Sequence, residues 1–144
     1  GRCSGDTRLG SGRSLTPIAD IMRTGDRLPT LALPASLREA VAVMGSTPGR
    51  PGCALIIDAN NQLLGIFTDG DLRRLVAEER AELDQTIEAL MTRAPLNLNP
   101  SDRALDAEAV LVTRSIDQAP VVNDEGVLVG LIDIQDLHRQ AKAI

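Results

Sequence analysis

The chain repeats itself. Ile87-Glu88-Ala89-Leu90-Met91 matches Ile18-Ala19-Asp20-Ile21-Met22, and Pro95 through Pro100 matches Pro29 through Pro34. Ala119-Pro120-Val121-Val122-Asn123 matches Ala54-Leu55-Ile56-Ile57-Asp58, Leu128 to Ile132 matches Leu63 to Phe67, and Asp136-Leu137 matches Asp71-Leu72. The offset drifts only from 69 to 65, through small gaps in loops. This is a tandem duplication of a unit about 65 residues long.

Within each unit the pattern reads strand, helix, strand, strand, helix (β-α-β-β-α), with a short helical lead-in. One unit alone has too little core, since a domain near this size buries only about 60% of its chain surface. The expected fold is therefore α/β, with two tandem units packed sheet against sheet as a pseudo-twofold pair. Such a pair has two equivalent clefts where the units meet, and clefts of this kind are natural ligand sites.

The expected organisation is a disordered leader, linker or tag over 1–14, a first unit over 15–80, a connector over 81–85 and a second unit over 86–144. Thr16-Pro17 reads as an N-cap and first helical position, with Ile18, Ile21 and Met22 on one face and Thr24-Gly25 as the stop. Leu31-Ala32-Leu33 is extended, and Ser36 caps a helix with Leu37, Ala40, Val41 and Met44 at helical spacing. Ala54 to Ile57 and Leu63 to Phe67 are apolar runs joined by the turn composition Asp58-Ala59-Asn60-Asn61. The next helix is expected from Asp69 to about Arg80, with Leu72, Leu75 and Val76 inward.

Composition narrows the function classes. The chain has one Phe, no Trp and no Tyr, so it lacks the stacking platforms of single-strand binders. A formal charge of −5 opposes a phosphate-backbone binder, and nucleic acid is not an expected partner. No apolar run reaches the roughly 18 residues of a membrane span, so a soluble, cytoplasmic chain without membrane contact is expected. Cys3 and Cys53 stand far apart without nearby Cys or His, which fits neither a zinc spacing nor a disulfide framework. Cys53 reads as a small buried hydrophobe.

Thr68-x-x-Asp71 is the sharpest chemical feature. As plain structure it is a capping arrangement at a helix start. As a site it adds an occupant: free N–H groups favour a phosphate, the Thr68 hydroxyl contacts it, and a carboxylate accepts from ribose hydroxyls. Gly70 lets a ligand approach the backbone. In the second unit the matching positions are Asp133-x-x-Asp136, where a carboxylate repels a phosphate.

Arg73 and Arg74 are nearby cations, with His138 and Arg139 at the matching positions, although a solvated helix face explains such side chains too. Asp69, Asp71, Asp133 and Asp136 come from opposite units, and capping explains them more simply than a metal or acid–base cluster. No nucleophile stands at recognisable spacing from a base, so neither a catalytic nor a metal residue is assigned.

Gly65-Ile66-Phe67-Thr68-Asp69-Gly70-Asp71-Leu72-Arg73-Arg74, with Pro120-Val121-Val122 and Leu128-Val129-Gly130-Leu131-Ile132 in the second copy, resembles a pair of cystathionine-β-synthase (CBS) domains, a Bateman module. The resemblance runs from about Leu15 to Ala143. It implies a pseudo-symmetric pair, often dimerising further, with adenine nucleotides or related ligands in the inter-unit clefts. Together with Asp20 to Asp26, the pattern is similar to the C-terminal half of bacterial arabinose-5-phosphate isomerases. There a sugar-isomerase (SIS) domain precedes the pair, and the product feeds synthesis of Kdo, a lipopolysaccharide sugar.

Leu9-Gly10 fits a remnant of that junction. The resemblance gives Asp71 the ribose hydroxyls, Thr68 the phosphate side and Ile66 the base pocket, completed by Thr92 and Leu96 of the opposite lead-in. Asp136 matches the ribose position of the second cleft. The implied function is a regulatory module that binds AMP, ATP or CMP-Kdo, requires no cofactor and does not isomerise sugars alone. The alternative is a structural oligomerisation module with empty clefts.

Overall fold

The computed structural model of the protein describes residues 15–142. The expected leader, with Cys3 and Leu9-Gly10, lies outside them. Strands β1 (Thr30–Ala32), β2 (Cys53–Ile57), β3 (Leu63–Thr68) and β4 (Thr92–Arg93) form one sheet in that order. Strands β5 (Gln118–Val122) and β6 (Leu128–Asp133) pair as a second, antiparallel sheet. Four α-helices are described: α1 (Leu37–Ser46), α2 (Asp69–Ala77), α3 (Ala104–Arg114) and α4 (Ile134–Lys142).

The two hairpins close on the same side-chain turn. Asp58 Oδ1 accepts from the N–H groups of Asn60 and Gln62 at 2.8 and 3.0 Å. Asn123 Oδ1 accepts from Glu125 and Val127 at 2.9 and 3.0 Å. Such Asx turns reverse the chain without help from the sheet. The hairpins then meet each other, with Leu63 N–H donating to Gly126 O and Leu128 N–H to Asn61 O.

Alternation along β2 and β3 divides the core. Ala54, Ile56 and Phe67 face Leu37, Ala40 and Met44 of α1, while Cys53, Leu55 and Ile66 face Leu128 and Leu131 across the sheets. A third cluster gathers Ala107 and Leu111 of α3 with Ala119, Val121 and Ile132. Period-two strands between helices and a facing sheet are apolar on both sides, which is why the runs read as continuous.

The lead-ins are exchanged. Ile18 is fully buried in the cluster of the second unit, and Ile87 and Met91 are buried in that of the first. The backbone pairing is reciprocal: Ile18 N–H donates to Asp102 O at 2.8 Å, and Ile87 N–H to Ala35 O at 2.9 Å. Thr92 pairs with Ile66, and Arg23 pairs with Leu131. Gly65 makes the crossing possible, because a Cβ there would stand 2.8 Å from the Thr92 carbonyl oxygen and 2.6 Å from Met91 Sδ.

Several local expectations are corrected. The lead-in helices are single 3-10 turns, Ile18–Asp20 and Ile87–Ala89, with Pro17 at the N-cap of the first rather than inside it. They stop early because the chain turns to pair with a strand of the other unit. The helix after Thr68 ends at Ala77, not near Arg80, since Glu79 turns left-handed (φ 58°) and Arg80 N–H closes onto Leu75 O. Val76, inside the helix, is 60% exposed rather than inward. In the second unit the first strand shrinks to one parallel bridge, Leu98 to Val121. Asn97 and Asn99 there bond locally, to Pro95 O and Ser101 N–H, in competition with a ladder.

Candidate functional site

The strand-to-helix junction at Thr68 is held by its own side chains. Thr68 Oγ1 accepts from Asp71 N–H at 3.2 Å, and Asp71 Oδ2 accepts from Thr68 N–H at 3.0 Å. This capping box leaves the Thr68 hydroxyl proton free to donate outward. Asp71 Oδ1 accepts from Arg74, which is therefore engaged on the helix surface. A carboxylate has about four lone-pair positions, so Asp71 retains capacity for a further donor.

Beside this junction lies a cavity of about 400 Å³. Its lining brings together Ile66, Thr68, Gly70, Asp71 and Arg73 of the first unit with Thr92, Pro95 and Leu96 of the second lead-in. The loop before β5 closes the far wall with Ser115, Ile116 and Asp117, and Gln118 and Pro120 follow from β5 itself. Ile66, Pro95, Leu96, Ile116 and Pro120 supply apolar surface suited to a flat ring. The charged lining is Asp69, Asp71, Asp117 and Arg73, a net negative balance that disfavours highly charged anions and leaves Arg73 as the cation for a single phosphate.

Asp136, the remaining candidate, lies elsewhere. It accepts from Arg23 Nε at 2.8 Å and from Arg23 Nη2 at 3.4 Å, and also from Arg139 at 3.0 Å. Arg23 stands 3.8 Å from Asp133 and donates to Gly49 O at 3.2 Å. It is only 4% exposed, and its hydrogen bond with Asp136 raises its pKa above the usual guanidinium value. Asp133 accepts from Gln135 N–H at 2.8 Å, so the box of α2 has no copy on α4.

The cavity of this second cleft, about 360 Å³, is lined by polar and charged residues around Arg23, with Ile134 its one apolar side chain. Sequence reasoning gave Arg23 no role, although the repeat places it at the position of Thr92. It also missed the loop over 115–117 and Gln118 at the start of β5, whose signal is their place at the entry to the second hairpin.

His138 stands 3.3 Å from Glu108 on the outer helices, away from both clefts. Among the described residues no group of three or more His, Cys, Asp or Glu is placed to hold a metal ion. No described helix is long and apolar enough to cross a membrane.

The CBS domain model matches the chain twice, at residues 18–78 and 87–142. Arabinose 5-phosphate isomerase GutQ of Escherichia coli (strain K12) is 37% identical over 127 residues, covering 88% of this chain and 39% of its own length. A probable arabinose 5-phosphate isomerase of Haemophilus influenzae is 37% identical over 122 residues, 84% of this chain and 35% of its length. The chain thus spans under two fifths of these relatives.

Among solved structures, CBSX2 in complex with AMP superposes with a TM-score of 0.77 at 24% identity, covering 88% of this chain and 96% of that one. The CBS domain pair of MJ0100, in complex with 5'-methylthioadenosine and S-adenosyl-L-methionine, also gives 0.77 at 24%, covering 90% and 98%.

Proposed function

The chain belongs to the CBS-domain family, and from that premise we propose that it is the regulatory, ligand-binding pair of a longer sugar-phosphate isomerase, taking a nucleotide or nucleotide sugar in its first cleft. The observation that carries this reading is the cavity in which the Thr68–Asp71 box, the α2 N-terminus and apolar walls from both units converge. In this reading the apolar walls hold the base, Asp71 the ribose hydroxyls, and Thr68 with Gly70 and Arg73 the phosphate. AMP bound by CBSX2, and the nucleosides bound by the MJ0100 pair, support a ligand of this class.

The parent activity is supported by the isomerase relatives, most of whose length this chain does not cover. The pair would act by shifting the populations of the attached catalytic domain, in a cytoplasmic homodimer joined through the pairs. Calorimetric titration with AMP, ATP and CMP-Kdo tests the reading. Binding that is lost in Asp71→Ala is expected, with AMP favoured over ATP by the acidic lining. Absence of heat with every ligand would sink it and leave a purely structural module.

A further inference from the structure

We infer that Arg23 is an internal occupant of the second cleft, the residue that limits the module to one nucleotide per chain; this rests on the binding reading above. The two clefts are built from the same positions and enclose similar cavities, about 400 and 360 Å³, but Asp71 lines the first whereas Asp136, held by Arg23, does not line the second. In the first, Thr92 pairs with Ile66 beside Thr68 and Asp71, and its short side chain leaves the cavity open. In the second, Arg23 pairs with Leu131 beside Asp133 and Asp136. Its guanidinium takes both oxygens of Asp136, approaches Asp133 and ends on the Gly49 carbonyl.

That is the donor and acceptor set a ligand would have to displace. Asp136 is already engaged by Arg23 and Arg139, and both Arg23 and Asp136 are nearly shielded from water, with side chains 5% and 11% exposed. A ribose arriving there gains one carboxylate and strands a buried cation, which is the more costly state. Asp133 adds repulsion to a phosphate. Arg23 thus takes the place of a ribose at Asp136, and Asp133, 3.8 Å away, adds a second carboxylate beside the guanidinium.

The consequence is a specific exchange of residues between clefts. R23T puts the first cleft's residue at the strand bridge and uncovers Leu131, the counterpart of Ile66, while D133T restores the Thr-x-x-Asp pattern. Titration of the whole chain with AMP is expected to give one site in wild type, unchanged in D136N. R23T/D133T is expected to give two sites, the second removed by D136A. Two sites in wild type, or a site lost in D136N, would overturn the inference.

So would a folded R23T/D133T that gains no Asp136-dependent site; if that pair fails to unfold cooperatively, R23S/D133S takes its place. Should wild type bind no AMP, the reading of the first cleft fails. The paired variants then still decide the role of Arg23, by gaining or not gaining a site.

Discussion

Cys53 lies fully buried between the sheets, where desolvation, with Asp133 and Asp69 adding to it, pushes its thiol from 9.0 up to about 12. The folded chain thus holds this proton more tightly than the unfolded chain. Below pH 9 both states are protonated and nothing changes; between about 9 and 12 only the folded state keeps the proton, so stability falls as pH rises. The slope approaches 1.4 kcal/mol per pH unit. Urea unfolding at pH 8, 9.5 and 10.5 should show this loss in wild type and a flatter profile in Cys53→Ala. At the same scale, Thr68 and Asp71 were legible because their bonds span three residues and need only a helix start. Arg23 was not, because its partner lies 113 residues away and only the paired units bring them together.

The lead-in turns show where element-level reading stops. Ile18, Ile21 and Met22 have helical spacing, yet only one 3-10 turn forms, because Arg23 spends its N–H and C=O on Leu131. The strands were readable from aliphatic runs ending in Asx turns, and α1 from Ser36, whose capping box with Glu39 is complete. Helix ends were harder: nothing in Glu78-Glu79-Arg80 marks a left-handed stop as a glycine would.

Since each turn plugs the other unit, Ile87→Ala and Ile18→Ala should each cost about 2–5 kcal/mol, the usual range for a buried isoleucine truncation. Their effects should separate in hydrogen exchange. I87A is expected to loosen α1 and β2 more than α3, and I18A the reverse. Equal loosening everywhere would mean that the turns are not specific plugs.

At the scale of the whole molecule, the duplication foretold two sheets and two clefts, and the resemblance implied that the opposite lead-in completes the first pocket, whereas the burial of each lead-in in the other unit's core was hidden. A repeat in sequence states that the units are alike and does not state which lead-in serves which core. The connector between 81 and 85 therefore separates two incomplete cores. Expressed apart, residues 15–80 and 86–144 should each lack cooperative thermal unfolding, and mixing them should restore it as a one-to-one complex seen by sedimentation. A cooperative transition in either half alone would contradict the exchange.

The crossing also orders events during synthesis. The first core cannot close until Ile87 and Met91 have emerged from the ribosome, and the second hairpin must be made before the first lead-in has anywhere to go. Ile18 is translated before any described strand and can be buried only after the last of them.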